Sequence, residues 1–341
     1  MPEGLSRGAS ANLDLLRSLA VLMVLFDHLT RHFHSRFDDV GIFGVLLFFV
    51  HTALVLMYSM KRSHLTGAAL IRDFYIRRFF RIYPLSILAV LTAVALHLHA
   101  GRQGLSIAPR PGPLELVSNL FLVQNLTYST SIIGPLWSLP IEVQMYLVLP
   151  FLFLWKKRSL WMLLALWLAC GVLGHFPQTI PALGWFTLLL FIPNFLPGIM
   201  AFTLRERRWA PSWLWPVFIL LLAALYFWIP SRRMGGGACL LLGLAIPQFK
   251  EITFAPLKFI ANRIATYSYG IYLGHSFFIW YALTVHNSWI LFWLMWLVIP
   301  ALLYHAFERP AIEVGRKLAE RMSQPRRTLL APEPQNAESP S

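Results

Sequence analysis

Apolar runs of membrane-spanning length recur along the chain from residue 13 to residue 306. A transmembrane helix needs about 20 predominantly apolar residues, so the sequence predicts an all-α, polytopic bundle of transmembrane helices with about ten spans. The weakest span is the eighth, because it opens with three glycines and contains Pro247, so nine or eleven spans are alternatives. The predicted spans are 12–32, 41–60, 79–100, 134–154, 159–176, 183–203, 212–229, 235–249, 264–284 and 288–307.

The composition is that of a membrane protein. Apolar residues make up 57% of the chain and charged residues 13%, against about 25% charged residues in soluble domains. The spans leave no room for a soluble domain, so we expect one transmembrane domain over residues 1–322. Residues 323–341 are rich in Pro, Ser, Gln and Glu, which predicts a disordered cytoplasmic tail. The first apolar run is too long for a removable signal peptide and lacks a small-residue cleavage site.

The basic residues are distributed unevenly between alternate loops. With the N-terminus inside, the cytoplasmic segments hold 23 of the 29 Lys and Arg residues. This bias is the positive-inside pattern of membrane proteins. It predicts that both termini are cytoplasmic, and it explains the net charge of +14 by topology, without a nucleic-acid partner. The six basic residues of the outer loops are Arg31, Arg36, Arg102, Arg110, Arg232 and Arg233.

The first span carries ionisable residues near both of its ends. Such residues are expensive inside a membrane and usually mark a functional site. Arg17 and His28 differ by only about 20° around a helix and lie about 16 Å apart along its axis, so they share one face. The structural alternatives are a snorkelling anchor for Arg17 and a packing role for His28. Asp27 lies about 100° away and is predicted to cap the outer end.

The third span begins with a pair of arginines, Arg78 and Arg81, in the stretch YIRRFFRIYP. Their i, i+3 spacing places both side chains on one helix face at the inner mouth. Guanidinium groups arranged in this way suit phosphate, through bidentate and charge-assisted hydrogen bonds. The alternative is an ordinary basic cytoplasmic flank.

The fourth and ninth spans contribute one polar residue each. Glu142 lies about two turns into the outer end of the fourth span, where a carboxyl keeps its proton or pairs with a cation; either state suits a general acid or base. His275 lies in the middle of the ninth span, although Gly270 and Gly274 also indicate close helix packing there. The two cysteines of the chain fall inside spans, so neither a disulfide nor a metal cluster is expected.

Five segments carry a resemblance to a known family: LDLLRSLAVLMVLFDH, RRFFRIYPL, LWSLPIEVQMYLVLP, YSYGIYLGH and FERP. Taken together and in this order, they resemble the acyltransferase-3 family and cover nearly the whole chain. Its members are integral-membrane O-acyltransferases that decorate bacterial polysaccharides, lipids and small glycosides. The motif positions of the family fall here on Arg17 and His28, on Arg78 and Arg81, on Glu142, and on Tyr272, Leu273 and His275.

The resemblance implies a multi-pass protein of the bacterial cytoplasmic (inner) membrane. It implies an acyl-CoA donor, commonly acetyl-CoA, bound from the cytoplasm, and a carbohydrate, glycoside or lipid-linked sugar acceptor whose hydroxyl is acylated at the outer side. On this hypothesis Arg78 and Arg81, assisted by Arg17, hold the phosphates of coenzyme A. His28 acts as general base or as transient acyl carrier, and Glu142 orients His28 or shuttles its proton.

The second span departs from the family pattern. Members normally have an acidic residue where this chain has Leu46, and a Ser-Gly pair in the region of His51. His51 is therefore an additional candidate ligand or base, and His275 and Tyr272 are further site candidates; no metal site is expected. Some members carry a fused extracytoplasmic hydrolase-like domain; if one is needed here, an envelope-biosynthesis partner protein must supply it.

A transporter or flippase of a polar envelope precursor is the rival hypothesis, because a polar track across ten spans suits substrate passage too. Many transporters contain internal repeats, and we find none in this sequence. An inactive structural member of an envelope assembly is a third alternative, but the full set of motif residues argues against it.

Overall fold

The computed structural model describes residues 10–33, 39–101, 104–155, 159–174, 187–204, 206–228 and 234–323, which are mostly helical. The helices are α1 (Ala11–His32), α2 (Asp39–Arg62), α3 (Gly67–Ala95), α4 (Pro113–Leu120), α5 (Leu139–Leu154), α6 (Leu160–Leu173), α7 (Thr187–Thr203), α8 (Leu214–Trp228), α9 (Met234–Ala245), α10 (Ala255–Phe278), α11 (Trp289–Leu303) and α12 (Arg309–Ser323). Short 3-10 turns at Gly134–Ser138 and Ile246–Gln248 precede α5 and follow α9. Turns of π-helix at Ile279–Val285 and Tyr304–Glu308 follow α10 and α11.

Each predicted span overlaps a helix. Within the described parts of the chain, four helical segments are long and apolar enough to cross a membrane: Asp39–Arg62, Gly67–Ala95, Gly134–Leu154 and Trp289–Ser323. Shorter apolar helices are Leu160–Leu173, Leu188–Thr203, Leu214–Trp228 and Gly235–Gln248. The mostly helical class is confirmed, whereas the number of ten spans and the cytoplasmic location of the termini stay predictions. All but the first residue of the predicted tail, 323–341, lies outside the described residues.

The third predicted span, 79–100, was wrong at both ends. The helix α3 begins at Gly67, because the basic stretch before residue 79 is itself helical and is supported by an i, i+4 ion pair of 2.9 Å between Arg77 and Asp73. It ends at Ala95, and an antiparallel hairpin follows, formed by β1 (Leu98–Gly101) and β2 (Gly104–Ile107). This hairpin is also the departure from an all-α fold.

Close approaches at glycine bring the central helices together. A Cβ atom on Gly44 of α2 would lie 2.5 Å from the carbonyl oxygen of Ala20 in α1. A Cβ on Gly198 of α7 would lie 2.3 Å from the carbonyl oxygen of Val50 in α2. Small residues allow backbones in membranes to pack at such distances. As a result α2 is the most enclosed of the four long apolar segments, with 78% of its apolar window buried.

Polar contacts join α1 to α10. The Arg17 Nε donates to the Ser268 hydroxyl at 2.6 Å, and the Ser18 hydroxyl donates to the Ala261 carbonyl at 2.7 Å. At its start, α1 is capped by the Ser10 side chain, which accepts from the Leu13 N–H. These contacts hold the Arg17 face of α1 towards the interior of the bundle.

Candidate functional site

Three cavities follow one another through the bundle. The His28 cavity has a volume of about 970 Å³ and includes His28 in its wall. The arginine cavity has a volume of about 100 Å³ and is lined by Arg17, Arg78 and Arg81. The N-terminal cavity has a volume of about 340 Å³ and is lined partly by Asp14 and its neighbours at the start of α1.

Shared wall residues join these cavities in series. Val45 of α2 and Tyr272 of α10 line both the His28 cavity and the arginine cavity. Arg17 and His51 line both the arginine cavity and the N-terminal cavity. The series therefore runs along the α1 face that carries Arg17 and His28, over an axial distance of about 16 Å.

The arginine cavity gathers three guanidinium groups around one carboxylate. Arg17 donates to a hydroxyl of α10, as described above, and this fixes its side chain in the cavity wall. The Glu142 Oε1 accepts from the Tyr146 hydroxyl one turn later and, at 3.5 Å, from the Thr52 hydroxyl of α2. With more cations than carboxylates in its wall, the cavity favours an anionic ligand.

Arg81 already has a buried counter-ion. Its guanidinium donates to the Glu308 carboxylate, whose side chain is 1% exposed, and it lies 5.6 Å from the centre of the Tyr269 ring. The Tyr269 hydroxyl in turn donates to the Ile82 carbonyl at 2.8 Å. Glu308 belongs to the π-helical turn between α11 and α12, so this pair ties the C-terminal helices to the cavity.

Arg78, although it lines the same cavity, makes no hydrogen bond or ion pair with any described residue. The i, i+3 pair predicted from sequence therefore shares one cavity but has two different environments. Arg81 is held within the protein, whereas the donors of Arg78 are available to a ligand.

Glu142 was predicted to orient His28 or shuttle its proton. Its hydrogen-bond partners are Tyr146 and Thr52, and within the described residues it makes no contact with His28. The reason is the packing of α5, which carries Glu142 against the middle of α2, one cavity away from His28. The structure thus groups Glu142 with the arginines.

His28 faces a second histidine. The rings of His28 and His275 are in edge contact, with 4.6 Å between their centres. The Nδ1 atom of each ring lies near the carbonyl oxygen four residues earlier in its own helix, at 3.4 Å for His28 and 3.2 Å for His275. Because a carbonyl can only accept, these contacts assign the proton to Nδ1 and leave a lone pair on Nε2. The Nε2 atom of His28 points towards Gly134, where an added Cβ would lie 3.6 Å away.

Tyr272 stands at the junction between the His28 cavity and the arginine cavity. Its hydroxyl donates to the Pro135 carbonyl at 2.8 Å and lies 2.6 Å from the Ser138 hydroxyl. Both partners belong to the 3-10 turn before α5, which also contributes Gly134 beside His28. The candidate Tyr272 therefore fixes the start of α5 where the two cavities adjoin.

The walls of the His28 cavity combine an ion pair with aromatic rings. Asp27, which is 1% exposed, pairs with Arg31 at 3.1 Å and packs against Gly41 of α2. Trp137 and Trp167 contribute aromatic surface, and the hairpin β1–β2 contributes backbone. This mixture of rings and polar groups suits a sugar, whose faces are apolar and whose edges carry hydroxyls.

The two departures in the second span lie in different cavities. Leu46 lines the same cavity as His28. His51, which is 6% exposed, lies between the arginine cavity and the N-terminal cavity. Within the described ranges, no three His, Cys, Asp or Glu side chains group as metal ligands.

Sequence reasoning missed two residues of the site. Glu308 falls in the FERP segment, but no local pattern predicts its pairing with Arg81, which lies 227 positions away. Asp27 was predicted to cap α1, but it is buried and lines the His28 cavity. Its i, i+4 spacing from Arg31 was the available signal.

Comparisons with known proteins agree on one family. The family model described as an acyltransferase domain, acyltransferase-3, matches residues 10–304. The peptidoglycan O-acetyltransferase OatA of Listeria monocytogenes is 27% identical, over 79% of this chain and 49% of its own length. YrhL of Bacillus subtilis is 25% identical, over 77% of this chain and 47% of its own length. The chain thus spans about half the length of these curated relatives. No solved structure matches it.

Proposed function

Because the chain belongs to the acyltransferase-3 family, we propose that it is a membrane O-acyltransferase. It moves an acyl group, with acetyl as the first candidate, from cytoplasmic acyl-CoA to a hydroxyl of a carbohydrate or glycoside at the outer side of the inner membrane. The observation that carries this proposal is the series of connected cavities from the arginine cluster to His28.

The donor enters through the N-terminal cavity, which the positive-inside pattern assigns to the cytoplasm. Arg78, with its free donors, and Arg17 hold phosphate oxygens of coenzyme A, and Arg81 adds positive charge from its fixed position. The pantetheine arm is thin and unbranched for most of its length, so it suits the junction of the two cavities beside Val45 and Tyr272. The thioester then reaches the His28 cavity.

His28 performs the proton transfer. Its Nε2 lone pair accepts the proton of the acceptor hydroxyl while that oxygen attacks the thioester carbonyl. The carbon–sulfur bond then breaks, and the departing thiolate of coenzyme A takes the proton from Nε2. The alternative is that Nε2 attacks first and carries the acyl group before the hydroxyl receives it. Both routes use the tautomer that the Val24 carbonyl selects.

The acceptor is a carbohydrate. The His28 cavity is large enough for a sugar ring, and its tryptophans and polar groups match the two kinds of sugar surface. The name of the Listeria relative points to peptidoglycan, and we extend to this chain the broader class of envelope sugars, including lipid-linked ones. A separate envelope protein that presents or accepts the sugar is a further proposed partner.

Radiolabelled acetyl-CoA tests the function with purified protein in nanodiscs, in the presence of envelope sugar acceptors. We expect wild type to transfer or hydrolyse the acetyl group, and His28→Ala to lose about 10²- to 10⁴-fold of that rate. His64→Ala, at an exposed histidine outside the three cavities, is the matched control. Label retained on the wild-type protein but absent from His28→Ala supports the acyl carrier, and turnover without retained label supports the general base.

The same preparation discriminates the rival function. A transporter would move a polar sugar into liposomes without acyl-CoA and would bind no donor. Sugar uptake without acyl-CoA, together with no binding of the donor, would overturn the proposal, and so would full acyl-transfer activity of His28→Ala.

A further inference from the structure

We propose that His51 is a phosphate-binding residue of the acyl-CoA site, acting beside Arg78. This inference rests on the proposed function and adds a residue at which the second span departs from the family pattern. It starts from the hydrogen bonds of the arginine cavity, in which almost every polar side chain is already satisfied.

The satisfied groups form pairs within the protein. They are Arg17 with Ser268, Arg81 with Glu308, Glu142 with Tyr146 and Thr52, Ser138 with Tyr272, and Tyr269 with the Ile82 carbonyl. Two polar side chains of this wall are left, Arg78 and His51, and neither makes a hydrogen bond or ion pair with a described residue.

The position of His51 points to a ligand. The residue is 6% exposed, yet its ring nitrogens are not among the described polar atoms that are fully buried without a partner, so they reach the space of the adjoining cavities. It belongs to α2, the most enclosed of the long apolar helices. A ligand in these cavities can therefore accept a hydrogen bond from His51.

The charges on the arginine-cavity side of His51 favour an anionic ligand, whereas the wall of the N-terminal cavity balances Arg17, Arg62 and Arg208 against Asp14, Glu206 and Glu251. Arg17 lines the same two cavities as His51, and Arg78 and Arg81 line the arginine cavity with it. The one carboxylate of that cavity, Glu142, is engaged by two hydroxyl donors. An imidazole N–H beside arginines donates to phosphate oxygen, and a bound phosphate makes this a charge-assisted hydrogen bond.

The position along the series agrees with this assignment. His51 lines both the N-terminal cavity and the arginine cavity, and Tyr272 lines both the arginine cavity and the His28 cavity. A donor with its thioester near His28 and its arm past Tyr272 has its phosphate end at the level of Arg17 and His51.

Truncated donors test the assignment. Binding of coenzyme A and of pantetheine, which lacks the phosphates, is measured with wild type, His51→Phe and His51→Gln in nanodiscs. Phe keeps the ring volume without nitrogen, Gln keeps an N–H donor, and His64→Phe is the control at an exposed site. Thermal unfolding and size-exclusion profiles check that each variant is folded.

We expect His51→Phe to weaken coenzyme A binding about 10- to 100-fold, as for one lost charge-assisted hydrogen bond, while His51→Gln retains part of the affinity. Pantetheine binding should change less than about twofold. Equal losses for both ligands would place the contact on the pantetheine arm and overturn the phosphate assignment. Unchanged binding of both would overturn any ligand role for His51. Failure of wild type to bind coenzyme A would instead refute the proposed function.

Discussion

Arg78 and Arg81 are three residues apart, yet their replacement should affect different properties, ligand binding for Arg78 and stability for Arg81. We expect Arg81→Gln to destabilise the fold, because it leaves the Glu308 carboxylate, 1% exposed, without its cation. Breaking a buried ion pair from one side costs about 3–5 kcal/mol. We expect Arg78→Gln to change stability by less than about 0.5 kcal/mol, because Arg78 has no hydrogen bond or ion pair among the described residues, and to weaken coenzyme A binding.

The structure also predicts where the loss of stability is felt. Glu308 ends the π-helical turn before α12, and α12 packs on α3 so closely that a Cβ on Gly315 would lie 2.6 Å from the Phe80 Cβ. Loss of Arg81 should therefore loosen α12 first. Replacing both partners, in Arg81→Met with Glu308→Met, removes the two charges together and should restore most of the stability, since such exchanges are often neutral.

The assay is denaturation of purified protein in detergent, followed by size-exclusion chromatography, with limited proteolysis of the C-terminal helix and a coenzyme A binding measurement on each variant. The double variant is the control for loss of the ion pair itself. The reasoning is refuted if Arg81→Gln is as stable as wild type and loses the same affinity as Arg78→Gln. In that case the guanidinium of Arg81 serves the ligand in preference to Glu308.

Two further predictions concern packing and pH. Gly198→Ala should destabilise the bundle by about 1–3 kcal/mol, because its Cβ would meet the α2 backbone, whereas Gly237→Ala, with nothing within 4 Å, should be neutral or slightly stabilising in the same denaturation series. Burial acts to raise the pKa of Glu115, but hydrogen bonds with Thr130 and His99 outweigh it, so the pKa lies below its ordinary value of 4.5. The Glu115 carboxylate therefore stabilises the fold at a pH above its ordinary pKa, and this contribution is lost as the pH falls through its pKa in the folded protein. The difference in unfolding free energy between wild type and Glu115→Gln should shrink from pH 7 to pH 3. A difference that does not change with pH would contradict the pairing.

Local sequence was sufficient for the features that depend on a single helix. The spacing of Arg17 and His28 predicted one shared face, because helical periodicity is set by the backbone alone. The apolar runs likewise predicted the helices, since the hydrocarbon core demands a minimum length. The errors concern α3 and the hairpin after it. The helix begins before the apolar run, in the basic residues, and it ends before the apolar run does, so that the last residues of the predicted span form a strand.

The partners across the bundle depended on tertiary structure. Glu142 lies near the arginines and away from His28 because α5 packs against the middle of α2. Arg81 meets Glu308 because the π-helical turn between α11 and α12 shifts the directions in which the following side chains project. The regular helical period does not predict this shift. His51 makes no hydrogen bond or ion pair within the described residues, and its place in α2 puts it in the walls of two cavities. The sequence by itself determined which residues could do chemistry and which helix faces carry them. Which of them meet was decided by helix packing, because it depends on close contacts between segments far apart in the chain.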